Sequence, residues 1–261
     1  MKHNLKPIPN KEKIIQELKP KFIERYRELL GSEKKYGEFL DYSFSYLRKS
    51  IRVNTLKIIV SKLVKRLSKR WQLTQIPWCK PGFWIKYKIK HEHEHERIDI
   101  GNLIEHTLGY FYVQEAASMI PPIVLNPKPR DHVLDMCAAP GSKTTQISAI
   151  MKNKGIIIAN DFKGMRLRPL GINIQRMGIT NAVITQMYGQ GFNPDKIKFD
   201  KVLVDAPCSG TGTIRKSLKT INMWNPEMVK RLSKTQKQLI TKGFQLLKPG
   251  GILVYSTCTL E

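Results

Sequence analysis

The apolar positions of this chain follow two different rhythms. Between residues 12 and 30, Ile14, Ile15, Leu18, Phe22, Ile23, Leu29 and Leu30 recur at roughly helical spacing among many charges, and the pattern stops at Gly31, which predicts a basic amphipathic helix. Ser50-Ile-Arg-Val-Asn-Thr-Leu-Lys57 reads as a short strand. Val60 to Trp71 reads as a helix with Leu63, Val64 and Leu67 on one face and lysines and arginines on the other. Extended segments are expected around Trp71 to Ile76 and Phe83 to Ile89, broken by Pro81-Gly82. These elements make a small α+β module of β-α-β-β order.

From Tyr110 onward short apolar runs alternate with helical patterns. His132-Val-Leu-Asp-Met136 precedes a helix from Ser142 to Met151, and Gly155-Ile-Ile-Ile-Ala159 precedes a helix reaching Met177. Asn181-Ala-Val-Ile-Thr185 and Lys201-Val-Leu-Val204 follow, then a long helix capped by Asn225 with Pro226 at its first position, then Ile252-Leu-Val-Tyr255. Strands alternating with helices imply a parallel sheet of the Rossmann-like α/β class. Residues 1–108 are accordingly expected to form a basic helical and RRM-like region, and residues 109–261 a Rossmann-like catalytic domain. Ligands of such sheets sit outside the carboxyl ends of the strands, so the loops after strands are where chemistry is sought.

Composition narrows the partners. At 261 residues and 41% hydrophobic, the chain can bury a substantial core and is too apolar for disorder. Its 45 Lys and Arg against 21 Asp and Glu leave a net charge of +24, a field that attracts a polyanion such as nucleic acid. No stretch approaches the roughly 18 apolar residues of a membrane span, and Met1-Lys2-His3-Asn4 opens no signal peptide. The expectation is a soluble, cytoplasmic monomer with nucleic acid as partner and neither membrane nor structural metal. Cys79, Cys137, Cys208 and Cys258 form no CxxC pair, so a zinc ribbon or disulfide framework is not suggested. The run His-Glu-His-Glu-His-Glu at 91–96 matches HExxH literally. Its strict alternation, continuing through Arg97-Ile-Asp-Ile100, is instead a strand pattern and reads as a polar hairpin.

Three loops carry candidate chemistry. Asp135-Met-Cys-Ala-Ala-Pro-Gly-Ser-Lys-Thr144 is rich in small residues that let the backbone approach a ligand at a helix N-terminus. It is not a P-loop, because Ser142 separates Gly141 from Lys143, and it lacks GxGxxG. The second strand ends in Asn160-Asp161, placed to accept hydrogen bonds from ribose hydroxyls, although Asp161 serves equally as a helix cap. This arrangement suits S-adenosylmethionine. After the fourth and fifth strands come Asp205-Ala-Pro-Cys-Ser-Gly210 and Ser256-Thr-Cys-Thr259, which put Cys208 and Cys258 at the ends of adjacent strands. A strand-end cysteine is also an ordinary small hydrophobe, and the residues by themselves leave both readings open.

At these residues the sequence resembles the Sun (NOL/NOP/Sun) family of RNA cytosine-5 methyltransferases. The resemblance runs through Arg52-Val-Asn-Thr-Leu-Lys57, Gly109 to Ser118, Leu134 to Thr145, Asp205 to Gly210, and Lys248-Pro-Gly-Gly251 to Thr259, across about four fifths of the chain. It implies S-adenosyl-L-methionine as cofactor, cradled by Cys137, Ala138, Ala139, Pro140, Gly141, Ser142 and Lys143, with Asp161 at the ribose and Arg166 and Asp205 lining the site. It implies Cys258 as the nucleophile that adds to carbon-6 of cytosine, Cys208 as the thiol assisting release, and Asp205 at the base edge. Cys208 is the alternative nucleophile. The N-terminal module resembles the family's RNA-binding region; tRNA is the expected substrate and ribosomal RNA the alternative. Family members often carry an acidic residue near the adenine where this chain has Gln186-Met-Tyr-Gly189, and they continue past Glu261 through the last strands of the sheet.

Overall fold

Pro20 splits the helix expected over residues 12–30. In the computed structural model, which describes residues 6–88 and 99–261, α1 is Lys11–Gln16 and α2 is Pro20–Leu30. Pro20 sits at the first position of α2, where a missing N–H loses no helical hydrogen bond. The His-Glu run at 91–96 lies outside the described residues. Gly31 ends α2 with φ 68°, and α3 (Glu33–Ser43), which the periodicity did not single out, starts from Ser32, whose hydroxyl accepts the Lys35 N–H. Then follow β1 (Ser50–Val53), α4 (Val60–Leu67), β2 (Trp71–Ile76), β3 (Cys79–Tyr87), α5 (Ile104–Thr107), β4 (Phe111–Val113) and α6 (Ile120–Leu125). The remaining elements are β5 (His132–Asp135), α7 (Ser142–Met151), β6 (Ile156–Asn160), α8 (Gly164–Met177), β7 (Ala182–Thr185), β8 (Phe199–Asp205), α9 (Lys219–Met223), α10 (Pro226–Gln245) and β9 (Leu247–Ser256).

The expected break at Pro81-Gly82 is inside β3. The chain turns instead at Pro77-Trp78, and Gly82 pairs with Arg52 across the sheet. Glycine is required there because a Cβ would stand 2.8 Å from the Met119 sulfur and 3.0 Å from the Cys79 Cβ. The strand expected over residues 50–57 stops at Val53, because Asn54 turns the chain. Its amide donates to the carbonyls of Gly109 and Met177 while its Oδ1 accepts the Leu56 N–H.

The described residues divide into two compact units. One comprises the chain up to Leu47 together with Pro207–Gln238 and Thr257–Glu261. Its core is largely aromatic: Phe22, Tyr26, Tyr36, Phe44 and Trp224 are buried with Leu18, Ile214 and Ile221. The Phe22 and Trp224 rings meet edge to face at 5.2 Å, a favoured geometry for aromatic pairs.

The other unit, Arg48–Ala206 with Leu239–Ser256, holds two sheets. The small sheet is antiparallel, ordered β2-β3-β1-β4, and one face packs Ile51, Val53, Phe83, Ile85 and Phe111 against Leu63 and Leu67 of α4. The large sheet is parallel, ordered β7-β6-β5-β8-β9, which is the Rossmann-like arrangement the alternating pattern implied. Its strand order reverses at β5, with β6 to one side and β8 to the other. The crevice at the carboxyl end of β5 is therefore where a ligand of such a sheet binds. A buried polar seam joins the small sheet to α7: Arg52 Nη2 donates to Thr145 Oγ1 at 2.9 Å, and Gln114 donates to Gln146 at 2.9 Å.

Candidate active site

The loop leaving β5 is folded by hydrogen bonds that its small residues allow. The Ala138 N–H donates to the Asn160 carbonyl at 2.7 Å, and the Gly141 N–H closes back on the Ala138 carbonyl at 2.8 Å. Gly141 then takes φ 102° immediately before α7, in the half of backbone space that glycine enters without strain. Asn160 is wholly buried and spends its side-chain amide inside the chain, donating to the carbonyls of Met136 and Met187 and accepting the Met187 N–H. It therefore ties the loop after β5 to the loop after β7 and is not presented to a ribose.

Asp161 occupies the position the sequence assigned to it, directly after β6. Its carboxylate accepts the N–H groups of Ala139 at 3.3 Å and Lys163 at 3.1 Å. Arg166 Nη1 lies 3.1 Å from Asp161 Oδ2, and Arg166 Nη2 donates to the Ala139 carbonyl. With its side chain only 1% exposed, Asp161 is paired with an Arg166 side chain that is 44% exposed. A ligand reaching Asp161 displaces an outward-facing side chain, not the core.

On the other side of β5, Lys143 Nζ donates to Asp205 Oδ2 at 2.6 Å, and Ser256 Oγ donates to Asp205 Oδ1 at 2.8 Å. The register makes this possible, because Asp205 and Ser256 are paired at the carboxyl ends of β8 and β9. Asp135 was not singled out from the sequence. It is buried at the end of β5, accepts the Thr144 hydroxyl at 2.7 Å through Oδ2, and has no hydrogen-bond partner at Oδ1. Burial, reinforced by the nearby Asp205 carboxylate and opposed by Thr144 and Lys143, raises its carboxyl to about 7.

Cys137 reports the field inside this loop. Burial first, then the carboxylates of Asp135, Asp161 and Asp205, push its thiol up to about 12 against the opposing Arg166 guanidinium. The thiol thus stays neutral, and around it carboxylates outweigh the one guanidinium even in a chain of net charge +24. That sign suits a cationic ligand such as a sulfonium and opposes a phosphate, even though the loop leads into a helix N-terminus.

Cys208 and Cys258 converge within the other unit. Their sulfurs stand 3.1 Å apart, and the Cys258 N–H points to the Cys208 sulfur at 3.3 Å. The loops carrying them are interlocked: the Gly212 N–H donates to the Cys258 carbonyl at 3.0 Å, and the hydroxyls of Ser209 and Thr259 meet at 2.5 Å. Gln236 of α10 donates to the Pro207 carbonyl at 2.9 Å, and Trp224 Nε1 donates to Glu261 at 2.8 Å. The predicted site residues thus gather in two groups, a thiol pair and a cradle. The sequence did not single out Asp135 or Ser256, although each opens a run that carries candidate chemistry, and Asn160, expected at a ribose, instead holds two loops together. Among the described residues, no group of three or more His, Cys, Asp or Glu is placed to hold a metal ion, and no helix is long and apolar enough to cross a membrane.

Residues 122–261 match the family described as 16S rRNA methyltransferase RsmB/F, and residues 18–116 match the N-terminal domain of 16S rRNA methyltransferase RsmF. Ribosomal RNA small subunit methyltransferase F of Vibrio vulnificus is 46% identical over 246 residues, covering 92% of this chain and 50% of that protein. The protein of the same name from Vibrio cholerae is 45% identical over the same length, with the same shares. The chain spans about half the length of these curated relatives. Among solved structures, a methyltransferase homolog protein from Pyrococcus horikoshii aligns with TM-score 0.81 at 38% identity, covering 97% of this chain and 78% of that one. NSun6 from Pyrococcus horikoshii with SFG aligns with TM-score 0.81 at 26% identity, covering 93% and 84%.

Proposed function

Because this chain belongs to the RsmB/F family of 16S rRNA methyltransferases, we propose that it methylates carbon-5 of a cytosine in RNA with S-adenosyl-L-methionine as cofactor. The observation that carries the reading is the thiol pair, with sulfurs 3.1 Å apart in loops that leave the ends of neighbouring parallel strands. Small-subunit ribosomal RNA is the proposed substrate. The matched relatives favour it over the tRNA expected from the sequence.

The cofactor's donor set supports the assignment. Backbone groups from Cys137 to Ser142 would hold its methionine part, Asp161 its ribose, and the cradle's carboxylates its sulfonium, with Lys143, Arg166 and Asp205 at the rim. When bound, this group supplies the methyl. Cys258 adds to carbon-6 of the cytosine and turns carbon-5 into an enamine nucleophile. At 3.1 Å from the Cys258 sulfur, Cys208 stands where it can act on the adduct and assist release of the methylated base. After methyl transfer Cys208, acting as its thiolate, takes the carbon-5 proton, the carbon-6 to sulfur bond breaks, and Cys258 departs with the electron pair. Asp205, fixed by Lys143 and Ser256, holds the base edge. Residues 1–108 form the proposed RNA-binding region, whose lysines and arginines hold phosphates.

Incubation with methyl-labelled S-adenosylmethionine and unmodified small-subunit rRNA should yield 5-methylcytosine. Cys258→Ala should abolish it, and Cys208→Ala should accumulate a covalent protein–RNA adduct that survives denaturing gels. Full activity of Cys208→Ala without adduct would refute the role assignment. RNA binding with no 5-methylcytosine from the unaltered chain would leave an RNA-binding protein only.

A further inference from the structure

We infer that the outer face of the small antiparallel sheet takes an unpaired base of RNA on the ring of Trp78, with Arg48, and Arg70 and Lys86 further along the same face, receiving phosphates of the same strand. The inference rests on the reading of RNA as substrate and names the surface that meets it.

Alternation along the strands separates two faces. Leu73, Phe83 and Ile85 point into the core over α4. The intervening positions lie on the opposite face, where Trp84 pairs with Ser50 and Thr74, and Lys86 pairs with Gln72. Toward β4 this face is covered: Arg52 reaches Thr145 of α7, and Gly82 lies against Met119. Toward β2 it is open, and Gln72, Thr74 and Lys86 are exposed, as is Arg70 just before the strand.

Two tryptophans stand where the open and covered parts meet, Trp84 half-buried against Cys79 and Met119. Trp78, in the turn between β2 and β3, is 43% exposed, which is unusual for so large an apolar ring. It is also held still: its Nε1 donates to the Ala116 carbonyl at 3.0 Å, and its ring meets Trp84 edge to face at 5.7 Å. The Arg48 guanidinium lies 4.0 Å from the Trp84 ring centre. A part-exposed ring held in place, next to a tryptophan that carries a guanidinium, is a stacking platform for a planar base, because little side-chain freedom remains to be lost on binding.

Charge identifies the occupant. Residues 48–88 contain twelve Lys and Arg and no Asp or Glu. Lys88 is engaged with the Ser68 carbonyl and Lys49 lies 3.9 Å from Asp99, whereas Arg48, Arg70 and Lys86 border the open face. A surface of aromatic rings and clustered cations matches single-stranded RNA, whose bases are splayed out and whose backbone is anionic.

The test is a fluorescence titration of the full chain with a single-stranded RNA of about twelve nucleotides and with the same sequence as duplex. The single strand should quench tryptophan emission and bind more tightly than the duplex. Trp78→Ala should weaken single-strand binding about tenfold without changing its salt dependence. Arg70→Ala with Lys86→Ala should flatten the dependence of log affinity on log salt by about 0.7 for each phosphate no longer neutralised. Both variants should bind S-adenosylhomocysteine as the unaltered chain does. Unchanged single-strand affinity in Trp78→Ala, or a duplex bound as tightly as the single strand, overturns the surface assignment. Failure of the unaltered chain to bind either RNA removes the RNA reading itself.

Discussion

Replacing Asp135 by Asn should make the folded chain more stable at neutral pH and less stable in acid. Asp135 is fully buried, and its carboxyl is raised from 3.8 to about 7, first by burial and then by the Asp205 carboxylate. Between those two values the folded state holds a proton that the unfolded chain has released. Its contribution to stability therefore falls as pH rises from about 4 to about 7 and is level above. A rise of about three units corresponds to about 4 kcal/mol. Asn keeps an acceptor for the Thr144 hydroxyl, but puts an amide NH2 where Oδ1 has no hydrogen-bond partner, at a cost of about 1–3 kcal/mol. The net gain for Asp135→Asn is then about 1–3 kcal/mol above pH 7, reversing to a loss of similar size below about pH 4. Urea unfolding of both proteins in steps from about pH 5 to about pH 8 measures this, and the stability difference should climb by about 1.4 kcal/mol per pH unit before levelling near 7. A difference that stays constant across the range would show that Asp135 is ionised throughout, and the reasoning from burial would fail.

Two further outcomes follow from packing. Gly141→Ala forces a side chain onto φ 102° and a Cβ to 2.9 Å from Leu170 Cδ1, so S-adenosylhomocysteine affinity by calorimetry should drop at least about tenfold, with about 1–2 kcal/mol lost in stability; unchanged affinity would mean that the loop before α7 is not the cradle. Trp224→Ala, at a ring 1% exposed in the aromatic core, should cost about 3–5 kcal/mol in denaturant unfolding, and a loss below about 1 kcal/mol would contradict the packing described.

The parallel sheet was legible because each of its strands is a short apolar run bounded by turn residues, and the loops that follow carry the unusual residues. Local features set by tertiary packing were not legible. Gly82 looks like a breaker by composition, yet it is glycine because Met119 and Cys79 crowd it, so β3 runs straight through. The split at Pro20 was readable in principle, since proline opens a helix more readily than it continues one. Asp161 follows β6 directly, as the strand pattern implied, but no sequence pattern foretold that Arg166 would cover it. Asp135 sat in plain view at the head of its loop, and its importance depends on burial beside Asp205, a proximity across 70 residues of chain.

The paired carboxylates of the cradle have a consequence for which small molecules such a chain tolerates. Adenine nucleotides share their adenosine half with S-adenosylmethionine and would be drawn toward so cationic a surface. Under the proposed reading their phosphates would meet Asp161 and Asp205, whose charges already match Arg166 and Lys143, and so would find no spare cation there. Discrimination against them would then rest on how those two pairs are matched, with the shape of the nucleoside common to both ligands.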